Sequence, residues 1–451
     1  MEFYRNAEEE LARWKSSIYR KPLVIRGARQ TGKTTLVRKF GRQFDTFIEL
    51  NLETDHDRKL FENDLSVSDL VQYICLEKGI IRKGTTLLFL DEIQYSPRAV
   101  MLMRYFYENM PDVYVISAGS LLEIMMEKNK ISFPVGRVDY LYLFPLDFQE
   151  FLQAMGEETA LSCYLQTPVP IIAHDKLSRL FRLYSFIGGM PEAISRYVET
   201  RDLSLLSPVY ASLLTGFMDD VSKYASNSHE SDIIRHVIET APKESGNRIT
   251  FEKFGNSGYR SVEISSALRK LERAMLLYLR YPVTQTDLPI NPDKKLRPRL
   301  QIMDSGLMNH SVGIQAEYFK DLKLADVYRG ILAEQMVWQE ILSLNHMELK
   351  VPTFWVREKK QSNAEIDFVY SFNGQLIPIE VKSGKDGTLR SLHQYICLSD
   401  IDLAVRFSDQ KFSILDTVTP EKNHLPGKKY RLLNLPFYCA GRLPQYLQNL
   451  M

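Results

Sequence analysis

Four short apolar runs in the first third of the chain alternate with stretches of helical spacing. The runs are PLVIRG, TFIELNL, TLLFLDE and DVYVISAGS, and each of them ends in polar or glycine-rich residues. Parallel strands form nearly continuous apolar runs because helices cover both faces of a parallel sheet. The pattern therefore predicts an α/β fold in which a parallel sheet is wrapped by helices.

The apolar residues take helical spacing after these runs. The spacing extends from about Leu161 to Leu214 and is interrupted by a turn between Gly188 and Pro191. Glycine and proline together commonly break a helix, so we expect several helices that form a lid on the sheet. A change of composition near residues 201–208 predicts a domain boundary.

Residues 230–285 have the element order of a winged helix. A helix, DIIRHVIETA, is followed by a segment rich in glycine and asparagine, a second helix, VEISSALRKLERAMLL, and a strand, YLRYPV. The second helix could contact a groove of DNA, because this part of the chain carries the basic residues Arg260, Arg269, Lys270, Arg273 and Arg280. Glutamates are mixed with them, so a solvated helix in a packing module stays open as the alternative.

The segment TQTDLPINPDKKLRPRL, rich in proline and charge, is typical of a linker. From Tyr328 onward a helix leads into the strand-like segments FWVRE, EIDFVYSF and QLIPIEVKSG, which predict a further α/β domain. The predicted domains are residues 1–205 for the sheet and lid, 206–310 for the winged helix and its connection, and 320–451 for the C-terminal domain.

Charge and cysteine content limit the class of protein. Lys and Arg number 57 and Asp and Glu 56, so binding to nucleic acid would need a local basic surface. The four cysteines lie far apart without a CxxC pair, which argues against a zinc site and a disulfide framework. The N-terminus lacks the apolar stretch of a signal peptide, and no apolar run approaches the ~20 residues of a spanning helix. We expect a cytoplasmic protein without membrane contact.

A phosphate-binding motif, G-x-x-x-x-G-K-[ST], directly follows the apolar segment LVI and directly precedes the helical segment LVRKF. Its glycines let consecutive backbone amides and a helix N-terminus face phosphate groups. We expect Lys33 to contact the β- and γ-phosphates of ATP, and the Thr34 hydroxyl to bind magnesium. The predicted nucleotide-binding residues are Gly27, Ala28, Arg29, Gln30, Thr31, Gly32, Lys33, Thr34 and Thr35.

A second strand ends in a pair of acidic residues, Asp91 and Glu92, as a Walker B element does. In this interpretation Asp91 binds magnesium through water, and Glu92 orients or polarises the attacking water. The pair by itself would be better explained as an acidic helix N-cap. Its position downstream of the phosphate-binding motif favours the ATPase interpretation.

The next strand ends in Ser117-Ala118-Gly119-Ser120. AAA enzymes have a polar sensor of the γ-phosphate at this place, and Ser117 or Ser120 could serve. Arg137 follows on a loop and is a candidate arginine finger that would act on a neighbouring subunit of a homo-oligomer. An ordinary surface arginine fits the spacing equally well.

The order of these motifs resembles that of one large family. The segments GARQTGKTT, LLFLDEIQ, SAGSLLE, GRVDYLYLFPLDFQEFL and GGMPEA look like those of bacterial and archaeal AAA-type ATPases whose C-terminal part is a conserved domain of unknown function resembling restriction-endonuclease-like folds. The resemblance covers nearly the whole chain. It implies that Gly188, Gly189 and Pro191 lie in the lid near the nucleotide, and that a nuclease-like fold ends the chain.

Three charged residues near the C-terminus have the D-(x)n-E-x-K spacing of PD-(D/E)XK nucleases. Asp367 lies in one predicted strand, and Glu380 and Lys382 share one face of the next, so a hairpin through Asn373-Gly374 would bring them together. Two carboxylates can bind magnesium, while a lysine stabilises charge on a phosphodiester. Glu334, on the preceding helix, has the place of the upstream acidic residue of that fold.

A solvated sheet edge would explain the same three charges without chemistry. The apolar residues on the other face of IEVKSG favour the nuclease-like interpretation, because they indicate a half-buried strand that presents its charges in register. Gln394 and Tyr395, on the following helix, could support the site, although we expect them on the helix surface.

Three functions fit these patterns. The first is a magnesium-dependent ATPase that couples nucleotide state to the handling of DNA, with a C-terminal domain that cuts or only grips it. The second is a nucleotide-controlled signalling or assembly switch whose C-terminal domain is catalytically inert. The third, a helicase-like motor, has no further motif to support it. The sequence does not determine the oligomeric state, the substrate or whether the nuclease-like site is active.

Overall fold

The structure is a computed structural model. It describes residues 1–120, 122–128, 132–134, 136–314, 326–359, 362–383, 389–421 and 427–450. Among these residues no helix is long and apolar enough to cross a lipid bilayer. The four cysteines, Cys75, Cys163, Cys397 and Cys439, are free thiols.

The helices are named in chain order. They are α1 (Ala7–Ser16), α2 (Lys33–Gly41), α3 (Asp55–Lys59), α4 (Val67–Glu77), α5 (Pro97–Asn109), α6 (Leu122–Lys128), α7 (Phe148–Ala154), α8 (Glu158–Tyr164), α9 (His174–Ile187), α10 (Pro191–Thr200), α11 (Ser207–Tyr224), α12 (Ser228–Thr240), α13 (Ser261–Arg273), α14 (Ser305–Ser311), α15 (Asp326–Leu342), α16 (Arg390–Leu398) and α17 (Leu443–Gln448).

The strands follow the same convention. They are β1 (Leu23–Arg26), β2 (Thr46–Asn51), β3 (Thr86–Asp91), β4 (Val113–Gly119), β5 (Asp139–Tyr142), β6 (Leu277–Arg280), β7 (Pro282–Val283), β8 (Arg299–Ile302), β9 (Thr353–Lys359), β10 (Ser362–Phe372), β11 (Gln375–Lys382), β12 (Leu403–Ser408), β13 (Ser413–Val418) and β14 (Lys429–Pro436).

The first sheet is parallel throughout, with the strand order β2-β3-β4-β1-β5. Each of the four predicted apolar runs forms one of its strands, which confirms the predicted parallel α/β fold. Alternate residues enter two separate cores: Val24 packs in one, and Leu23 and Ile25 pack in the other. Both faces are therefore covered by helices, and the ends of the strands are the places where polar side chains can meet.

Helices α7 to α11 follow the sheet, at the place where a helical lid is predicted. Helices α12 and α13 come next, and β6 pairs with β8 as an antiparallel two-stranded sheet. The end of the predicted linker is wrong, because its last residues, Arg299 and Leu300, belong to β8. One apolar core includes Ala28, Ile124 and Phe144 in the first part of the chain and extends to Leu447 near its end. The three predicted domains are thus packed against one another through a continuous core.

The C-terminal sheet has seven strands in the order β13-β14-β12-β11-β10-β9-β7. Strands β9, β10 and β11 form an antiparallel meander, and β12 and β14 extend it in parallel to β11. The predicted strand YLRYPV is divided between two sheets. Its first half is β6, whereas its second half is β7, which pairs with β9 of the C-terminal sheet.

Strand β11 lies inside this sheet, between β10 and β12. The prediction of a half-buried β11 is wrong, because Leu376 to Glu380 are all buried and the strand is covered on both faces. A solvated sheet edge is excluded for the same reason. The expected surface position of Tyr395 is wrong as well, since its side chain is fully buried and its hydroxyl donates to the carbonyl oxygen of Leu376 at 3.1 Å.

Candidate functional site

The predicted phosphate-binding loop connects β1 directly to α2. Gln30 and Gly32 have φ angles of 65° and 94°, in the left-handed region, so the loop turns sharply before Lys33 begins the helix. A Cβ atom on Gly27 would collide with the carbonyl oxygen of Leu143. Both glycines of the motif are therefore required by the backbone, and the amides of the loop converge at the N-terminus of α2, where anions are favoured.

The amine of Lys33 lies inside the curve of this loop. Its Nζ donates hydrogen bonds to the carbonyl oxygens of Gly27, at 2.9 Å, and Ala28, at 2.8 Å. Burial lowers the pKa of Lys33 to about 8, although Glu92 and Asp91 act in the opposite direction. The cationic side chain expected at the phosphates is thus buried at the loop that would surround them.

The hydroxyl of Thr34 donates a 2.7 Å hydrogen bond to Asp91 Oδ2 at the end of β3. Burial raises the pKa of Asp91, and the Thr34 hydrogen bond acts against that shift. A hydroxyl and a carboxylate at this spacing are oxygen donors of the kind that magnesium prefers, and magnesium usually binds one or two carboxylates besides a nucleotide's phosphates. The residues present at this position therefore fit a magnesium ion.

Glu92 follows in a left-handed conformation with φ of 52°. Its backbone amide donates to Asp91 Oδ1 at 3.1 Å, and the side-chain amide of Gln94 donates to Glu92 Oε2. Burial raises the pKa of Glu92. Gln94 was not predicted; it is buried, and it packs so closely on Gly119 that a Cβ atom there would collide with its Oε1.

The structure does not bring Ser117 to the phosphate-binding loop. Ser117 pairs with Val24, three residues before Gly27, and its hydroxyl donates to the carbonyl oxygen of Leu23 at 3.4 Å. Three residues of a strand span about 10 Å. Ser120 instead lines a small pocket with Gly27 and is the better placed of the two serines.

Arg137 lies just before β5, whose first residue pairs with the first residue of β1. The phosphate-binding loop follows the opposite end of β1, so Arg137 is remote from the nucleotide site of its own chain. Its Nε donates to Glu108 Oε1 at 3.0 Å, and its side chain is partly exposed. A role on a neighbouring subunit stays a prediction.

Three residues outside the motif support the loop. Arg5 Nη1 donates to the carbonyl oxygen of Thr31 at 2.8 Å, and Arg29 forms an ion pair with Asp220 of α11. A Cβ atom on Gly32 would lie 3.9 Å from Pro191 Cγ, so the turn before α10 lies next to the loop. No local motif indicates these contacts, because they join residues that are far apart in the sequence.

The C-terminal charges meet as expected at the β10–β11 hairpin. Phe368 pairs with Ile379, so Asp367 and Glu380 are neighbours across the two strands. Asp367 Oδ2 accepts a 2.9 Å hydrogen bond from the amide of Val381, and Lys382 forms an ion pair with Glu380. Asp367 and Glu380 form a group with Glu334 of α15 and with Glu365, which was not predicted. We term these four residues the acidic cluster: Glu334, Glu365, Asp367 and Glu380.

Two arginines of the middle region enter the acidic cluster. Arg299 contacts Glu334 Oε1 at 2.5 Å and Asp367 Oδ1 at 3.3 Å, and it forms a further ion pair with Glu365. Arg280, which is fully buried, contacts the same Glu334 oxygen at 2.9 Å. The prediction that Arg280 belongs to a DNA-facing set of basic residues is therefore wrong.

Burial and charge act together in the acidic cluster. Burial, followed by the neighbouring charge of Asp367, raises the pKa of Glu380 to about 8, while Lys382 acts in the opposite direction. Burial lowers the pKa of Arg280 to about 10. For Arg299 the carboxylates outweigh burial and raise the pKa above its ordinary value. Burial therefore outweighs the opposite charges around Glu380 and Arg280, whereas the carboxylates stabilise the charged form of Arg299.

Helix α13 exposes one face of mixed character. The exposed residues of the helix are Ser261, Val262, Ser266, Arg269 and Arg273. Arg260, the N-cap residue of the helix, forms an ion pair with Glu263 at 2.6 Å. The face is polar without a dense positive charge, which agrees with the mixed character expected from the sequence.

A family model described as an AAA domain matches residues 19–152. These residues include β1 to β5, the phosphate-binding loop and the acidic pair that ends β3. Below, residues 19–152 are called the AAA domain after this match. The parallel five-stranded sheet described above lies within these residues.

Two further family models match the rest of the chain. Residues 178–318 match a domain of unknown function (DUF8612), and residues 329–423 match another domain of unknown function (DUF4143). The second match begins in α15 and includes the whole acidic cluster. Neither description names an activity, so the matches after the AAA domain divide the chain without assigning a function to it.

Several solved structures are distantly similar to the chain. The Walker-type ATPase paby2304 of Pyrococcus abyssi is 14% identical, with a TM-score of 0.45, and the alignment covers 68% of this chain and 95% of that one. AMPPCP-bound DnaA from Aquifex aeolicus is 14% identical, with a TM-score of 0.26 over 60% and 88%. PCH-2 of C. elegans is 16% identical, with a TM-score of 0.28 over 45% and 65%. No curated protein matches the chain.

Proposed function

We propose that this chain is a magnesium-dependent ATPase that couples nucleotide state to the handling of nucleic acid, through a winged helix and a nuclease-like C-terminal domain. The observation that carries the ATPase part is the arrangement at the AAA domain. Lys33, the Thr34–Asp91 pair and Glu92 lie at the C-terminal edge of the parallel sheet, where loop amides face a helix N-terminus.

Magnesium-bound ATP would supply the phosphoanhydride bond and a cation that neutralises the charge developing on it. The loop amides and the Lys33 ammonium would bind the phosphates, and Thr34 and Asp91 would bind the metal. Glu92 would orient a water molecule and accept its proton. Its pKa is raised by burial, which suits a base that must take up a proton at neutral pH.

Two variants test this assignment. Lys33→Ala removes the phosphate-binding amine, so we expect loss of ATP binding in isothermal titration calorimetry. Glu92→Gln keeps the shape of the side chain but cannot accept a proton, so we expect ATP binding without phosphate release. Hydrolysis at the wild-type rate by Glu92→Gln would refute the role of Glu92.

The nucleic-acid part of the proposal is supported by element order. Helices α12 and α13 followed by the β6–β8 pair have the order of a winged helix. Helix α15, the meander β9–β10–β11, helix α16 and the parallel strand β12 have the order expected of a restriction-endonuclease-like fold, with the acidic cluster on its central strands. DNA is accordingly the proposed polymer.

The alternative function is a nucleotide-controlled switch with an inert C-terminal module. The arginines that enter the acidic cluster favour this alternative, because they neutralise the carboxylates that a nuclease would need for metal binding. The ATPase rate with and without double-stranded, single-stranded and branched DNA separates the two. Stimulation by DNA supports nucleic-acid handling, and an unchanged rate supports the switch.

Cleavage of the same DNAs with magnesium tests the nuclease-like site directly. Glu380→Ala should abolish any cleavage that this site performs, whereas Lys33→Ala reports whether cleavage needs ATP. Cleavage that persists in Glu380→Ala would exclude the acidic cluster as its source.

A further inference from the structure

The acidic cluster contains an internal cation. Arg299, the first residue of β8, places one guanidinium against Glu334 at 2.5 Å, against Asp367 at 3.3 Å and against Glu365. The Arg299 side chain is mostly buried, with 12% of it exposed. The Arg299 guanidinium is therefore surrounded by carboxylates, as a bound cation would be. An exposed ion pair, by contrast, joins one cation to one carboxylate in water.

The second arginine at the acidic cluster, Arg280, makes different contacts. Arg280 contacts only Glu334 among the carboxylates, at 2.9 Å, and its other nitrogens donate to the carbonyl oxygens of Pro352, at 3.0 Å, and Asp367. Arg280 therefore fixes the backbone of the hairpin to its neighbours. Arg299 has the more central position, because it contacts three of the four carboxylates of the acidic cluster.

Two buried oxygens of the acidic cluster, Glu365 Oε1 and Glu380 Oε2, have no hydrogen-bond partner among the described residues, but Glu365 Oε1 lies in the ion pair with Arg299. Glu380 Oε2 is buried and has no hydrogen-bond partner in the part of the chain that the structure describes. The Glu380 side chain is 7% exposed, and its other oxygen contacts Lys382. A buried carboxylate oxygen without a donor is costly, and a bound cation would satisfy it.

Arg299 occupies the carboxylate oxygens that a divalent cation would bind. Four cationic side chains contact the acidic cluster: those of Arg280, Arg299, Lys382 and, at 3.9 Å from Glu365, Arg248. Among the described residues Arg299 is the one whose side chain forms an ion pair with Asp367, and without it Glu334 would keep only its ion pair with Arg280. With Arg299 in place, no group of three metal-binding side chains among the described residues is arranged to bind a metal.

We propose that Arg299 is a built-in competitor for a divalent cation, and that its removal opens a metal site formed by Glu334, Asp367 and Glu380. The proposal rests on the proposed function, because it describes the regulation of the same nuclease-like site. Hard cations such as magnesium and manganese prefer such carboxylate oxygens. The amino acid that closes the site comes from β8 of the middle region, so the C-terminal domain is kept without metal by its neighbour in the same chain.

Manganese binding tests this competition in the full chain. All proteins contain Asp91→Asn, which removes the carboxylate proposed to bind magnesium at the nucleotide site, and no nucleotide is added. We expect Arg299→Ala to bind one more Mn²⁺ per chain than the Arg299 parent in isothermal titration calorimetry and in the electron paramagnetic resonance of free Mn²⁺. The affinity at the acidic cluster should rise by at least about tenfold.

Two controls define the site. Arg248→Ala removes an arginine that pairs with Glu358 at 2.7 Å and lies 3.9 Å from Glu365. It makes the same charge change but contacts none of the three residues proposed to bind the metal. It should bind Mn²⁺ like the parent. Adding Glu380→Gln to Arg299→Ala should abolish the additional Mn²⁺. An Arg299→Ala protein that gains no Mn²⁺, or that keeps it in the Glu380→Gln background, would overturn the proposal.

Folding is checked separately. Circular dichroism and thermal unfolding are recorded for each protein, and Arg299→Gln, which keeps most of the side-chain volume, takes the place of Arg299→Ala if that variant is insoluble. The Mn²⁺ count depends neither on ATP hydrolysis nor on DNA cleavage. Failure of the competitor proposal and failure of the proposed function therefore give different results.

Discussion

Arg5 and Glu150 form a buried ion pair of 2.9 Å that connects the N-terminus of the chain to helix α7. The same guanidinium donates to the carbonyl oxygens of Thr31, in the phosphate-binding loop, and Phe144. Glu150 also accepts from the amide of Asn6 at 2.6 Å. One arginine thus fixes the loop to the segment that follows the parallel sheet.

Replacement of Arg5 by alanine should destabilise the AAA domain strongly. Glu150 would be left buried without its cation, and loss of one partner of a buried pair costs about 3–5 kcal/mol. The urea midpoint of unfolding should fall, and ATP affinity should fall with it. Arg13→Ala, which removes an exposed arginine paired with Glu10, should change the stability by less than about 0.5 kcal/mol. Equal effects of the two substitutions would contradict the buried role of Arg5.

Replacement of Gln94 by alanine should slow hydrolysis without weakening ATP binding. The Gln94 amide donates to Glu92, so its loss allows the Glu92 carboxylate to rotate away from the position of the attacking water. Misplacement of a catalytic group by about 1 Å can cost up to about 100-fold in rate. Steady-state kinetics should show a lower kcat at an unchanged KM for ATP. Gln43→Ala, an exposed glutamine of the same domain, is the control; a raised KM in Gln94→Ala would argue for a binding role instead.

Glu340 should make the protein less stable as the pH rises. Its carboxyl is buried, one oxygen accepts from the amide of Phe148 at 3.0 Å, and burial, with the nearby charge of Asp147, raises its pKa well above the ordinary value. In the unfolded chain the group ionises near its ordinary pKa, so the folded state binds more protons above that pH and loses stability as the pH rises. The loss continues until the folded pKa is reached.

Glu340→Gln removes this titration and retains the acceptor for Phe148. We expect the urea midpoint of Glu340→Gln to exceed that of the wild type by more at pH 8 than at pH 5. Glu158→Gln, at an exposed glutamate of α8, should give no such difference. A Glu340→Gln advantage that is the same at both pH values would show that ionisation of Glu340 is not its cause.

Gly27→Ala should disrupt the phosphate-binding loop. The added methyl group would overlap the backbone carbonyl oxygen of Leu143. Neither group can avoid the overlap by a side-chain rotation. Overpacking of this kind costs about 1–3 kcal/mol, and the displaced loop should lose ATP affinity in calorimetry. Gly258→Ala is the matched control, because no atom lies within 4 Å of its added Cβ. Wild-type ATP affinity in Gly27→Ala would show that the close approach to Leu143 is not required.

Local patterns were sufficient to predict the AAA domain. The phosphate-binding motif depends on turns and a helix start that neighbouring residues determine, and a buried parallel strand is apolar along its whole length. For this reason β1 to β4 and the loop from Gly27 to Thr35 were predicted at the correct positions. The Asp367–Glu380 pairing followed from a hairpin of ordinary register.

The partners of these residues could not be predicted in the same way. Arg280 and Arg299 have the sequence surroundings of solvated arginines, in YLRYP and RPRLQ, and only the tertiary packing of β6 and β8 buries them. Arg5 precedes every predicted element. The residues that flank Tyr395 in the sequence likewise do not indicate that its ring is buried. Its burial depends on how helix α16 packs on the sheet, which the sequence of the helix alone does not specify.

The turn before α10 connects the two charged regions of the molecule. The amide of Gly189 donates to Asp304 Oδ2 at 2.6 Å, and Asp304 caps α14 directly after β8, the strand that begins with Arg299. Pro191 of the same turn lies beside Gly32. A displacement of this turn would strain its hydrogen bond to Asp304, which lies two residues after the strand that begins with Arg299. A few residues thus connect the phosphate-binding loop with the segment next to β8, whose first residue, Arg299, pairs with the acidic cluster.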